Sequence, residues 1–364
     1  MADQTGIEWA DSTFNPWMGC SRVSPACDHC YAERDTARFG RVGWGQGVPR
    51  VRTAEANWRK PLRWNARSFW QCADCGWRGD TPRVDHADED APGGTGIACP
   101  ACLQRDVRPA RRRVFCASLA DVFDNEVDPQ WRADLVHLIF KTPHLDWLLL
   151  TKRIGNAKGM LEQAVASLSL GNHSWEHQSS RGFRHVWLGA TICNQEEADR
   201  DVSKLLATPA AVRFLSIEPM LSAINVSPYF GACDCYVPCQ EGVGMHAPSC
   251  PATRPRIEWV IVGGESGPNA RPLHPEWVRS LRDQCAGAGV PFLFKQWGEW
   301  APHACLTGGD EGGSLKRGHV RYIAGDGREP DGHFRRGDAA LARVGKKVAG
   351  RALDGRTHSA WPSP

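Results

Sequence analysis

Three cysteines near the N-terminus, Cys20, Cys27 and Cys30, form a C-x6-C-x2-C array behind an aromatic, turn-rich run from Trp9 to Trp17. Thiolates spaced this closely are a ligand set, since four of them hold an iron–sulfur cluster or a structural zinc. Three with no fourth cysteine nearby suit a [4Fe–4S] cluster with one open iron, where a small molecule can bind and react. The spacing also suits a zinc whose fourth ligand is His29 or a distant cysteine. Cys72, Cys75, Cys99 and Cys102 form two C-x2-C knuckles on either side of an acidic, Gly/Pro-rich stretch. That is a zinc-ribbon pattern, with a second iron–sulfur site or a rubredoxin-like iron as the alternative. An ion there would fold a small inserted lobe that has no core of its own. A third group, Cys233, Cys235, Cys239, His246 and Cys250, falls within eighteen residues and reads as a further zinc site. Free buried thiols are the alternative for that group.

Fifteen cysteines are many for a reducing compartment, and their clustering favours metal over disulfides. At 41% hydrophobic and 23% charged, the chain has the composition of a soluble globular protein. No apolar run is long enough to span a bilayer, so no membrane role is expected. The start, Met-Ala-Asp-Gln-Thr-Gly-Ile-Glu, lacks a basic and apolar leader, and a cytoplasmic location is the expectation. A net charge of +3 permits nucleic acid as a partner without requiring it. The C-terminal tail is basic, with seven Lys/Arg from Arg335 onward against Asp338 and Asp354. It suits phosphate contact or a solvated end. Residues 55–64 interleave Trp58 and Trp64 with Arg59, Lys60 and Arg63, which suits base stacking or a packed surface helix.

The elements that must position the cysteines have a regular rhythm. Apolar, β-branched and aromatic runs at 113–120, 145–152, 185–192, 212–218, 257–264 and 290–297 read as buried strands, with one more just before Cys20. Helical patterns at 130–140, 157–169, 195–206 and 275–288 separate them, and 31–40 reads as a helix directly after Cys30. Strands alternating with helices predict a parallel α/β fold. About seven units point to a partial or full (β/α) barrel, with an open doubly wound sheet as the second choice. Each strand runs out into polar or small residues, among them Ser118, Asp121, Lys152, Arg153, Thr191, Glu218, Glu265, Lys295 and Gln296. In parallel folds that end carries the site. The expected organisation is a barrel core over 1–300 with the cluster loop at 20–30. A zinc-ribbon lobe is inserted at 70–112 and a second Cys-rich lobe at 228–256. A Gly-rich segment and basic tail follow over 301–364. Within it, 301–334 reads as loop and 335–353 as a basic helix.

Several motifs spread along the chain carry a family resemblance. They are Ile7-Glu-Trp-Ala-Asp-Ser-Thr-Phe-Asn-Pro-Trp17, the three-cysteine loop closing in Cys30-Tyr-Ala32, and Leu150-Thr-Lys-Arg153. Further along come Ser216-Ile-Glu-Pro-Met-Leu221, Gly263-Gly-Glu-Ser-Gly267 with Ala270-Arg-Pro272, Phe294-Lys-Gln-Trp-Gly298, and the segment from Gly345 to Arg356. With these the chain resembles the phage-encoded and bacterial three-Cys-motif proteins of undetermined function. That family is distantly similar to radical S-adenosylmethionine (SAM) enzymes such as spore photoproduct lyase. The two cysteine-rich insertions lie outside the family pattern. The resemblance implies a radical SAM-type barrel with a [4Fe–4S] cluster on Cys20, Cys27 and Cys30. SAM would chelate the open iron, and its reductive cleavage would yield a 5′-deoxyadenosyl radical that abstracts hydrogen. The loop is three residues longer than the common C-x3-C-x2-C form.

On that resemblance, Tyr31 flanks the cluster or the adenine, and Ser118 holds the methionyl amino group. Glu218 binds ribose hydroxyls, and Gly263 and Gly264 let a ligand approach the backbone. Glu265, Arg271, Lys152 and Lys295 hold SAM or substrate. The implied function is a radical SAM-like enzyme acting on nucleic acid or nucleotides, served by a reductase or flavodoxin-type electron donor. The alternatives are a non-enzymatic, metal-bound nucleic-acid-binding or adaptor protein on a barrel scaffold, and an iron–sulfur enzyme that does not use SAM.

Overall fold

Seven short apolar runs form one parallel sheet: β1 (Ser12–Phe14), β2 (Arg112–Cys116), β3 (Leu145–Thr151), β4 (Val186–Thr191), β5 (Val212–Ile217), β6 (Trp259–Gly263) and β7 (Phe292–Gln296). The computed structural model describes residues 4–38, 40, 42–84, 96–168, 174–231, 255–303, 320–328 and 337–362. The strands follow one another in chain order across the sheet. A doubly wound sheet would reverse direction partway, so the barrel-like ordering holds. Among the described residues β1 and β7 are not paired with each other, and the sheet is a curled half-barrel rather than a closed one.

Alternation along each strand sorts the core into two layers. On β3, Trp147 and Leu149 join the outer layer while Leu148 and Leu150 face the lumen. The outer layer is covered by α2 (Pro129–Phe140), α3 (Ile154–Ala166), α4 (Gln195–Leu206) and α5 (Pro275–Gly287), following α1 (Tyr31–Arg38) in the chain. Asp128, Asn194 and His274 each accept a backbone N–H in the first turn of α2, α4 and α5. The lumen is aromatic. Trp9, ahead of β1, lies 4.4 Å from Phe115 of β2 and 6.4 Å from Phe214 of β5, ring centre to ring centre.

The C-terminal region departs from expectation. Trp300–Pro302, Val320–Ile323 and Ala339–Arg343 form a three-stranded antiparallel sheet where loop and basic helix were expected. The apolar side chains of 339–342 pack Leu341 against Ala270, Trp300 and Ile323. Strand pairing of that kind is decided by distant partners, which a helical window cannot see. Among the described residues there, only Lys346–Ala349 is helical. The tail then runs antiparallel beside β7, where the Phe294 amide donates to the His358 carbonyl at 3.0 Å. Trp361 stacks on Trp259 at 4.7 Å, with the Arg113 guanidinium 3.6 Å from its ring centre. The basic tail, read as suiting phosphate contact or a solvated end, therefore contributes packing to the scaffold. Trp58 and Trp64 likewise pack on the outer core, with Arg52 stacked 4.3 Å over Trp58.

Gly189 on β4 has no room for a side chain, because a Cβ there would lie 2.3 Å from the Phe214 ring. Gly189→Val should destabilise the protein by about 1–3 kcal/mol. The expected result is a lower urea midpoint, and an unchanged midpoint would contradict this packing.

Candidate functional site

The C-terminal strand ends and the three-cysteine loop enclose a cavity of ≈ 560 Å³. After β1 the chain runs on beside β2, and Gly19 donates to the Leu119 carbonyl at 3.1 Å. Gly19 sits at φ 99°, with Val42 and Arg50 against the space a Cβ would take. This suits glycine alone and aims Cys20 at the mouth. Ser24 caps a 3-10 turn over Pro25–Cys27 by accepting the Ala26 amide at 3.0 Å, and α1 starts immediately after Cys30. All three cysteines line the cavity.

Each side of the loop is latched to a different strand end. From β3, Arg153 donates to the Cys20 sulfur at 3.2 Å and to the Ser21 carbonyl at 2.7 Å. Arg153 pairs with Asp121 at 3.3 Å, and Asp124 behind it binds the buried Arg50 at 2.8 Å. Arg153 occupies the N-cap position of α3, where a guanidinium has no acceptor to offer the first helix N–H groups, and its donors go to the loop instead. From the β6 end, Arg271 donates to the Pro25 carbonyl at 2.8 Å and pairs with Asp28 at 3.0 Å. It also grips Glu265, which accepts from His29 at 2.9 Å. From β2, the Ser118 carbonyl accepts the Tyr31 hydroxyl at 2.9 Å. Ser118 is itself bonded to Asn15, and Ala117 beside it holds a left-handed φ of 76°. A non-glycine residue there stores about 1 kcal/mol of strain, a feature with no sequence signal.

Ten of the twelve residues expected to bind the cofactor line this cavity: Cys20, Cys27, Cys30, Tyr31, Ser118, Lys152, Glu218, Gly264, Glu265 and Lys295. Gly263 and Arg271 do not. The space beside the two glycines belongs to the protein: a Cβ on Gly263 would lie 3.2 Å from the Glu218 carboxylate, and one on Gly264 would lie 1.9 Å from the Trp297 carbonyl. Glu218 receives Lys295 on both oxygens, at 2.8 and 2.9 Å. Arg153, Asp121 and Asn15 were not expected as site residues. Arg153 and Asp121 carried a signal as polar strand ends, whereas Asn15 carried only its place in an aromatic turn.

Burial, and then the Asp121 charge, push the Cys20 thiol up to about 11, against the opposing pull of Arg153. Burial would raise the Glu265 carboxyl as well, but hydrogen bonds from Arg271 and His29 outweigh it and hold the group below its ordinary value.

A separate cluster lies in the inserted lobe. The sulfurs of Cys72, Cys75, Cys99 and Cys102 lie within 4.8 Å of one another and can hold a metal ion such as zinc. Among the described residues no other such group forms, so Cys20, Cys27 and Cys30 are not gathered around a single-ion point. His29 is engaged by Glu265 rather than turned to the cysteines. Cys233, Cys235, Cys239, His246 and Cys250 lie outside the described residues. No helix of the described residues is long and apolar enough to cross a membrane.

Fold and site together define a parallel α/β half-barrel protein with a three-cysteine loop at its mouth and a four-cysteine cluster to one side. The chain belongs to the family described as "Protein of unknown function (DUF5131)", whose model matches residues 4–362. No curated protein and no solved structure matches the chain.

Alkylation of Cys20, followed by peptide mass spectrometry across pH, tests the electrostatics of the loop. Asp121→Asn should move the profile below its midpoint of about 11, and Arg153→Gln should move it up. A profile that neither substitution shifts would remove both groups from the environment of the thiol.

Proposed function

We propose that this protein is a radical SAM-like iron–sulfur enzyme. The observation that carries the reading is the meeting of three cysteines with polar strand ends at the C-terminal mouth of a parallel half-barrel. The cavity falls within the range of small-molecule sites. The residues fit a cluster better than a single ion. Three thiols face one cavity without converging on one point, and a cubane spreads its thiolates over separate irons. Bound to Cys20, Cys27 and Cys30, a [4Fe–4S] cluster with SAM on its open iron would supply hydrogen-atom abstraction.

The remaining residues bind, orient and exclude water. Arg153 stabilises Cys20 as a thiolate ligand through its N–H donor and its charge. Glu218 accepts Lys295 on both oxygens and Gln296 on one, which leaves about one of its four lone-pair sites for a ligand hydroxyl. Lys152 and Lys346 line the cavity, and among the described residues their ammonium groups have no ion-pair partner. They suit a carboxylate on SAM or on the substrate. Trp9, Phe115 and Leu150 give the cavity an apolar floor. Glu265 and Arg271, expected to hold a ligand, are spent on holding the loop. With the tail and Trp58/Trp64 engaged in packing, the case for a nucleic-acid substrate rests on the family resemblance.

Anaerobic reconstitution with iron and sulfide tests the reading. We expect a brown protein whose absorbance is lost in Cys27→Ala, a reduced-cluster EPR signal perturbed by SAM, and 5′-deoxyadenosine formed under dithionite. A cluster indifferent to SAM would make this an iron–sulfur enzyme of another kind. Uptake of zinc alone would favour a non-enzymatic scaffold.

A further inference from the structure

The inserted lobe has little apolar interior among its described residues. Its described apolar core is Cys72, Cys99 and Val107, with Trp70, Trp77, Ile97 and Cys102 partly buried around them. So little apolar surface cannot order a separate lobe. The cysteine pairs Cys72/Cys102 and Cys75/Cys99 stand 3.6 and 3.5 Å apart, sulfur to sulfur. A tetrahedral zinc with bonds of about 2.3 Å requires sulfurs about 3.8 Å apart. Both knuckles turn through a left-handed residue: Gly76 at φ 74° and Leu103 at φ 63°, each donating its amide back to the first cysteine of its knuckle. The Ala101 amide reaches the Cys99 sulfur at 3.4 Å, a donor that favours thiolate. Four protein ligands leave no open position, so an ion here is structural rather than catalytic.

Among the described residues the lobe grips the barrel at the N-terminal ends of β1 and β2. Arg78, three residues past Cys75, donates to both carboxylate oxygens of Asp11, the residue before β1. Asp11 also accepts the Arg113 amide at 2.7 Å, and Asp80 of the lobe accepts from Arg112 at 2.9 Å. These contacts fasten the N-terminal ends of β1 and β2. Of the two strands, β1 is the weaker: it is three residues long and, as the open edge of the half-barrel, pairs among the described residues with β2 alone within the sheet. It is also the strand that leads to Gly19 and Cys20.

We propose that Cys72, Cys75, Cys99 and Cys102 bind one structural Zn²⁺, and that this ion, through Arg78 and Asp11, holds the edge strand from which the three-cysteine loop departs. The proposal stands whether or not the loop carries a cluster. It predicts that Cys75→Ser protein contains one zinc fewer per chain than the unmodified protein by elemental analysis. Cobalt bound in zinc's place should show tetrahedral thiolate absorption. Chelation of the full-length protein should speed hydrogen exchange of the amides at 11–14 by about tenfold, the weight of a charge-assisted hydrogen-bond pair. Amides of β4 and β5 should not change. Arg78→Ala should keep the zinc yet show the same local acceleration, which keeps the test open if Cys75→Ser fails to fold. Equal metal content in Cys75→Ser, or iron in this site, would overturn the zinc assignment. Metal loss without faster exchange at 11–14, or unchanged exchange in Arg78→Ala, would overturn the coupling.

Discussion

Trp9 packs against Phe115 on the second strand and Phe214 on the fifth at once, and that double contact holds the sheet curled. A flat sheet would set those two strands about 14 Å apart, three spacings of roughly 4.8 Å. With the sheet bent around Trp9, Trp187, Trp259 and Leu293, the strand ends converge above a shared floor. The open edge needs separate treatment. The C-terminal segment pairs with β7 and inserts Trp361 beside Trp259, while the lobe fastens the start of β1 through Arg78. Aromatic packing in the lumen thus comes first, and the geometry of the mouth follows from it.

Charge at the mouth serves mainly to hold the cysteine loop. Arg153 and Arg271 come from the segments that follow β3 and β6, and each donates to a loop carbonyl as well as to acids. Arg153 is almost fully enclosed, with Asp121 and Asp124 around it. A buried ion pair is weak evidence for stability, since desolvation offsets much of its attraction. Its value here is positional: a guanidinium with several fixed acceptors has one orientation, and so does the sulfur it touches.

Strand and helix positions were largely legible. The apolar runs at 145–152 and 212–218 match β3 and β5 to within a residue, and the helical pattern at 195–206 matches α4. The C-terminal sheet was not legible, because Leu341 is buried against Ala270, Trp300 and Ile323, which are distant in sequence. The glycines at 263 and 264 were legible as places of close approach. Which atoms approach them was not.

By itself, the sequence determined the approximate number of parallel strands, their alternation with helices, and the grouping of cysteines into a loop triad and two knuckles. All of these depend on residue types at short spacing, and thiol ligands and alternating apolar runs state their chemistry over a few positions. Only the tertiary structure decided which charges the loop uses. Arg153 rather than Lys152 reaches Cys20, and Glu265 turns to Arg271 and His29 instead of the cavity centre. Those choices depend on how far the sheet curls and on which side chains then come within hydrogen-bond reach, a matter of contacts between strands far apart in the chain.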